Sequence, residues 1–247
     1  MRAIFLDRDG VICKNRTDHV KNWQEFEFLP EAKSSLATLS RLGLPIIIIT
    51  NQAIVNRGLV PTAVIDEIHQ RMVAEISAYG GRIERVVYCP HRPEDNCDCR
   101  KPKPGMLLRV AQEMNIDLSR SYFVGDAATD LIAARQVGCR AFLVLTGRGF
   151  QQLSPSLRSV GEQFTITRNL KGAANHILKS ELNSADKFEK LPPAFKPAAD
   201  STWMQTTPSE RHFKNVTVGA GGQGLATPLP SNQNLVTKPI NSPMFIK

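Results

Sequence analysis

From residue 1 to about residue 180 the chain alternates short apolar runs with longer stretches whose apolar positions recur at helical spacing. Ala3–Leu6, Pro45–Ile49, Arg85–Tyr88, Ser121–Val124 and Arg140–Leu145 are short, apolar and bounded by turn residues or charges, which predicts strands. Between them Pro30–Leu42, Pro61–Tyr79, Pro104–Met114 and Ala128–Val137 read as helices. Prolines stand near three helix starts, where a missing N–H costs little, and Gly43, Gly80 and Gly138 follow three helix ends, where a left-handed residue often closes the last turn. Strand–helix alternation of this kind predicts an α/β fold: a mostly parallel sheet flanked by helices.

Past about Leu182 the texture changes. Residues 183–247 are rich in Pro, Ser, Thr, Asn and Gly, contain the run Gly219-Ala220-Gly221-Gly222-Gln223-Gly224, and show no sustained apolar period. Too little surface can be buried there to offset the entropy of ordering the chain. A low-complexity, disordered C-terminal tail at 183–247 is therefore expected behind one domain at 1–182, with Pro243–Lys247 fraying at the end.

Charge and cysteine usage narrow the class. The net charge of +8 is spread along the chain without a basic run or an aromatic-interleaved basic stripe, which argues against a nucleic-acid partner and for an anion-attracting site. No basic segment leads into a long apolar run, and no stretch approaches the roughly 20 apolar residues that span a bilayer. A cytoplasmic monomer without nucleic-acid or membrane partners is the expectation. Three of the five cysteines lie between residues 89 and 99, which suits a metal site in a reducing compartment better than a disulfide framework.

Chemistry concentrates at the predicted strand ends. The first strand runs into Asp7-Arg8-Asp9-Gly10-Val11, two carboxylates at the edge where open α/β sheets bind ligands. Acids so close repel unless a cation or hydrogen bonds balance them, which favours Mg²⁺, although an Asp-stabilised turn has the same local pattern. The second strand ends in Thr50-Asn51-Gln52 and the fourth in Gly125-Asp126-Ala127-Ala128-Thr129-Asp130. In a parallel sheet these ends share one edge, so Asp7, Asp9, Thr50, Asp126 and Asp130 can converge. Arg100-Lys101-Pro102-Lys103-Pro104-Gly105 adds cations at a helix start, which suits a phosphate.

Taken in chain order, Asp7-x-Asp9, Thr50, Lys101 and Asp126 with Asp130, these four motifs resemble those of the haloacid dehalogenase superfamily of phosphatases, over roughly residues 1–150. The resemblance implies a Rossmann-like sheet and a magnesium-dependent phosphomonoester hydrolase. It implies that Asp7 attacks phosphorus to form an aspartyl-phosphate, and that Asp9 protonates the leaving oxygen and later deprotonates water. Thr50 and Lys101 would hold the phosphoryl oxygens. Mg²⁺ would sit on the Asp7 carboxylate, the Asp9 main-chain carbonyl and Asp126, with Asp130 a further ligand or an outer partner. No long insertion follows Asp9 or Thr50, so no separate cap domain is expected.

A second constellation, Cys89-Pro90-His91 followed by Cys97-Asp98-Cys99, offers three thiolates and one imidazole, the donor set of a closed Cys₃His zinc site. With all four positions filled by protein, the Zn²⁺ would be structural, in a loop that leads directly into Arg100-Lys101. That string, with Arg57-Gly58 after Thr50-Asn51-Gln52, resembles the D-glycero-D-manno-heptose 1,7-bisphosphate 7-phosphatases, carbohydrate-metabolism enzymes acting on a small phosphorylated sugar. The five-residue spacer between His91 and Cys97 looks more like the histidinol-phosphate phosphatase relatives, and Ala127 stands where the heptose enzymes tend to carry a substrate-binding Lys. Asn51, Arg57, Arg100 and Lys103 are candidate substrate contacts, the arginines for a distal phosphate because their donor forks match phosphate oxygens. A catalytically inactive partner-binding protein is the alternative from another class; the intact Asp7, Asp9, Lys101 and Asp126 speak against it. Cys13 and Cys139 are expected to be buried, His69 and His176 to lie on helix surfaces, His19 to lie near substrate, and Trp23 with Phe26 to Phe28 to pack their loop down.

Overall fold

The computed structural model describes residues 1–189 and 244–246. Six parallel strands form the sheet: β1 (Ile4–Leu6), β2 (Ile46–Asn51), β3 (Arg85–Cys89), β4 (Tyr122–Gly125), β5 (Arg140–Val144) and β6 (Phe164–Thr167), in the order β6-β5-β4-β1-β2-β3. A short seventh strand, β7 (Met244–Ile246), pairs antiparallel with β3, Tyr88 opposite Met244 and Val86 opposite Ile246. The helices are α1 (Ala32–Ser40), α2 (Thr62–Ala78), α3 (Gly105–Met114), α4 (Ala128–Gln136), α5 (Gly149–Val160) and α6 (Leu170–Glu189).

Strands covered on both faces must be apolar nearly throughout, and the central strands β1, β2 and β4 are. Alternate residues enter two separate cores. Ile4, Leu6, Ile46, Ile48 and Val124 pack against α1, α2 and α6 through Leu36, Leu39, Ile65, Ile68, Met72 and Ile177. Phe5, Ile47, Ile49, Val87 and Phe123 pack on the other face against α3 and α4 through Met106, Leu107, Val110 and Leu131.

All five predicted strands and four predicted helices are present, with ends shifted by a residue or two. Three elements below residue 190 escaped the sequence reading. β6 is a four-residue edge strand, and α5 contains Pro155, which reads as a helix breaker although the helix continues past it. α6 did carry a signal: Leu170, Ala173, Ala174 and Ile177 are spaced at i, i+3, i+4 and i+7 and all are buried. Helix α6 reaches Glu189 and Met244–Ile246 form β7 where fraying was expected; the rest of the expected disordered tail, residues 190–243 and 247, lies outside the described residues. Among the described residues the connections after β1 and β2 carry no inserted domain, and no helix is long and apolar enough to cross a membrane.

Candidate active site

With this strand order the chain reverses direction across the sheet between β1 and β4, opening a crevice beyond their carboxyl ends. Asp7 leaves β1 and Asp126 leaves β4 on either side of it. The two loops approach closely because Gly10 has φ +84° and no side chain: a Cβ there would stand 2.1 Å from Asp126 Oδ2. Gly147, in the loop after β5, closes the same contact, its hypothetical Cβ lying 2.4 Å from Asp126 Oδ2 and from the Gly10 Cα.

Lys101 ties the crevice together. Its side chain is 3 % exposed, and Nζ lies 3.0 Å from Asp7 Oδ1 and 2.7 Å from Asp130 Oδ1 and donates to the Ile49 carbonyl at 2.7 Å. Asn51 at the end of β2 holds the Lys101 backbone from both sides, accepting from its N–H and donating to its carbonyl. Asp130 Oδ2 accepts the N–H groups of Asp126 and Ala127 at the start of α4. Asp126 accepts the Arg148 N–H at 2.8 Å, with the Arg148 guanidinium at 3.4 Å.

Asp9 turns to different partners. Arg8 Nη2 donates to both of its carboxylate oxygens at 2.9 Å, Gln52 Nε2 donates to Oδ2 at 2.8 Å, and the Cys13 thiol reaches Oδ1 at 3.4 Å. Gln52 also donates to Thr50 Oγ1 at 3.0 Å.

Most of these groups, Asp130 among them, line a cleft of about 740 Å³, while Asp126 and Cys13 are fully buried outside its lining. Of the sequence-predicted residues, Asp7, Asp9, Thr50, Asn51, Arg57, Arg100 and Lys101 line it, and His19 does as well, with Nε2 3.1 Å from Arg57. Lys103 does not supply the cleft with charge as expected: its Nζ folds back onto Asn96 and Asp98 of the cysteine loop. His69, expected on the surface, is fully buried, because α2 presents it to β3 and to Arg8. Cys13 and Cys139 are buried, His176 is exposed, and Trp23 stacks on Phe26 while Phe28 meets both edge-on, with ring centroids 5.0–6.5 Å apart.

The cysteine loop builds its cluster locally. After β3 a single turn at Pro93–Asp95, capped by Asp95 on the Arg92 N–H, and a left-handed Asn96 reverse the chain. Cys89, Cys97 and Cys99 then bring their sulfurs to 3.3–3.6 Å from one another, and His91 Nδ1 stands 3.2 Å from Cys99 Sγ and 3.5 Å from Cys89 Sγ. Those spacings are far beyond a disulfide bond and near the edge lengths of a tetrahedron with roughly 2.3 Å metal–sulfur bonds. All four donors fit one Zn²⁺. Gly105 starts α3 against this loop, where a Cβ would fall 2.2 Å from the Asp98 carbonyl, and Arg100 donates to the His91 carbonyl at 3.0 Å.

Comparison with known proteins converges on one family. The HAD-hydrolase-like family model matches residues 98–159. The D-glycero-β-D-manno-heptose-1,7-bisphosphate 7-phosphatase of Pseudomonas aeruginosa is 42 % identical over 154 residues, 62 % of this chain and 86 % of that protein. The Pseudomonas putida enzyme of the same name is 38 % identical over 72 % of this chain and all of its own length. The chain belongs to this haloacid dehalogenase-like phosphatase family. A solved structure agrees: the heptose 1,7-bisphosphate phosphatase from B. bronchiseptica, complexed with magnesium and phosphate, matches with TM-score 0.70 and 36 % identity over 73 % of this chain and 99 % of that one.

In this phosphatase the crevice is short of positive charge. Burial pushes the Asp7 pKa up to about 6, with Asp130 and Asp9 adding to it against Lys101, and burial with Asp7 and Asp130 pushes Asp126 up to about 7 against Arg148. Oxygens of Asp7, Asp126 and Asp130 lie within 4.8 Å of one another. A hard divalent cation with oxygen ligands fits that donor set and that charge deficit. At Asp9 burial would raise the pKa, but the Arg8 charge and the hydrogen bonds from Arg8 and Gln52 outweigh it and hold the carboxyl below its usual range. Sequence reasoning missed Arg8, Gln52 and Arg148. For Arg148 a signal existed, since Thr146-Gly147-Arg148 leaves β5 at the same sheet edge as the other motifs; for Arg8 the two flanking acids masked the residue between them.

Proposed function

We propose that this phosphatase removes the 7-phosphate of D-glycero-β-D-manno-heptose 1,7-bisphosphate, residues 1–182 forming the phosphatase domain. The observation that carries the substrate reading is charge: besides Lys101 on Asp7 and Arg148 on Asp126, the same cleft is lined by Arg57 and Arg100, which face no carboxylate among the described residues and remain for a second phosphate. The names of its relatives support the sugar and the anomer.

In this reading an Asp7 oxygen attacks phosphorus in line, the bond from phosphorus to the sugar oxygen breaks, and Asp9, which must first take up a proton against the pull of Arg8 and Gln52, gives that oxygen its proton. Asp9 then takes a proton from the water that splits the aspartyl-phosphate, so hydrolysis proceeds in two displacement steps. Lys101 and Thr50 hold the phosphoryl oxygens, and Asn51 fixes the Lys101 backbone. The Asp7 and Asp126 carboxylates and the Asp9 main-chain carbonyl are the groups that would hold Mg²⁺, with Asp130 an outer partner bonded to Lys101 and the α4 backbone. When bound, the ion supplies positive charge that shields the Asp7 carboxylate from the phosphate it approaches. Cys89, His91, Cys97 and Cys99 would hold a structural Zn²⁺ that braces the loop leading to Lys101.

A second substrate, histidinol phosphate, is favoured by the five-residue spacer between His91 and Cys97. Side-by-side kinetics separate the two. We expect kcat/KM for the heptose bisphosphate to exceed that for histidinol phosphate by at least about tenfold, the ratio that roughly 1.4 kcal/mol of extra transition-state binding gives. Equal or better turnover of histidinol phosphate would reverse the assignment.

A further inference from the structure

Arg8, between the two acids of the β1 loop, is 1 % exposed and heads the fully buried side chains by volume. The mechanism above gives it no task. A guanidinium is costly to bury unless its donors are met. Here Nε and Nη2 fork onto the Asp9 carboxylate at 2.9–3.3 Å, and Nη1 reaches His69 Nε2 at 3.0 Å. Residue 69 is on α2, sixty-one positions away. Because a guanidinium only donates, His69 must accept through Nε2, which leaves the imidazole neutral with its proton on Nδ1. Among the described residues that Nδ1 has no hydrogen-bond partner, although His69 is fully buried. The ring thus forgoes a bond on one side while accepting from Arg8 on the other. Tyr88 of β3 backs it, with ring centroids 5.3 Å apart. Burial and the Arg8 charge hold His69 well below its usual pKa, in keeping with a neutral acceptor.

We propose that His69 is a positioning residue that acts through Arg8 to hold the Asp9 carboxylate in the orientation needed for proton transfer. This rests on the reading of Asp9 as the acid and base. Without the His69 lone pair a buried Arg8 N–H is unmet, the guanidinium turns to satisfy it, and the fork on Asp9 is lost. Proton donation matters in proportion to the basicity of the leaving group: a sugar alkoxide needs the proton, whereas p-nitrophenolate departs without it. A general loss of structure would slow both substrates alike.

The test measures kcat/KM of the full-length, Mg²⁺-supplied enzyme on heptose bisphosphate and on p-nitrophenyl phosphate. His69→Leu is expected to lower the sugar-phosphate value by about tenfold or more, through kcat with KM nearly unchanged, and the p-nitrophenyl phosphate value by less than about threefold. His69→Gln, whose amide oxygen can accept where Nε2 did, is expected to recover most of the loss. Equal losses on both substrates, or no loss, would overturn the proposal. If His69→Leu does not fold, Arg8→Lys, which keeps the charge without the fork, is judged by the same ratio, and equal losses again overturn it. Asp9→Asn run alongside separates the two readings. A loss there that is equal on both substrates brings down the role of Asp9 itself, whereas a selective loss there beside an unselective one at residue 69 brings down this inference alone.

Discussion

The cysteine loop and the carboxylate crevice are both clusters of potential metal donors, yet they relate to the fold in opposite ways. The loop gathers Cys89, His91, Cys97 and Cys99 from one short segment by a single turn and a left-handed Asn96, and its donors are the connection between β3 and α3. The crevice draws Asp7, Lys101 and the pair Asp126 and Asp130 from three separate segments at one edge of a finished sheet and crowds buried like charges together. The loop's donors should therefore be felt as stability, and the crevice's donors as chemistry performed at some cost to stability.

The sharpest way to break that comparison is Asp7→Asn. Turnover is expected to fall by on the order of 10⁴-fold or more, while the metal-free protein melts no lower than the wild type, because a buried charge has been removed and Lys101 keeps Asp130 and the Ile49 carbonyl. A large drop in Tm would show that the crevice is structural after all. Next comes Cys97→Ser, which should cost about 3–5 kcal/mol, or roughly 6–20 °C in Tm, and reduce activity with it as the loop before Lys101 loosens. Metal analysis of the purified wild type should find about one tightly held zinc per chain. An unchanged melting curve for Cys97→Ser would make the loop ornamental.

The smallest expected effect is the pH response of the crevice. Asp7 and Asp126 titrate near 6 and 7 in the folded, metal-free protein but near 3.8 when unfolded, so between those values the folded state binds more protons. Their contribution to stability is present in full below pH 3.8 and is lost as the pH rises through about 6 and 7. Mg²⁺ favours the ionised carboxylates, so the rise in Tm that it produces should grow over the same interval. Melting curves from pH 4 to 8 with EDTA or with Mg²⁺ read this directly, and a Mg²⁺ effect that shrinks with rising pH would contradict it.

What the sequence by itself determined is whatever short-range pattern encodes. Short apolar runs at Ala3–Leu6 and Pro45–Ile49, bounded by turn residues, read as strands covered on both faces, and motifs that follow parallel strands share one sheet edge. The cysteine cluster was legible for the same reason, since its donors are close along the chain. Tertiary structure alone decided which neighbour each long side chain takes. Lys103 reads as a phosphate cation in the string Arg100–Gly105, but Asn96 and Asp98 lie within its reach and claim it. His69 reads as a helix-surface residue, but α2 turns it under the sheet edge toward Arg8. The partner of His69 is set by the packing of elements sixty-one positions apart and that of Lys103 by the turn that folds the cysteine loop back, and residue type and local spacing contain no record of either.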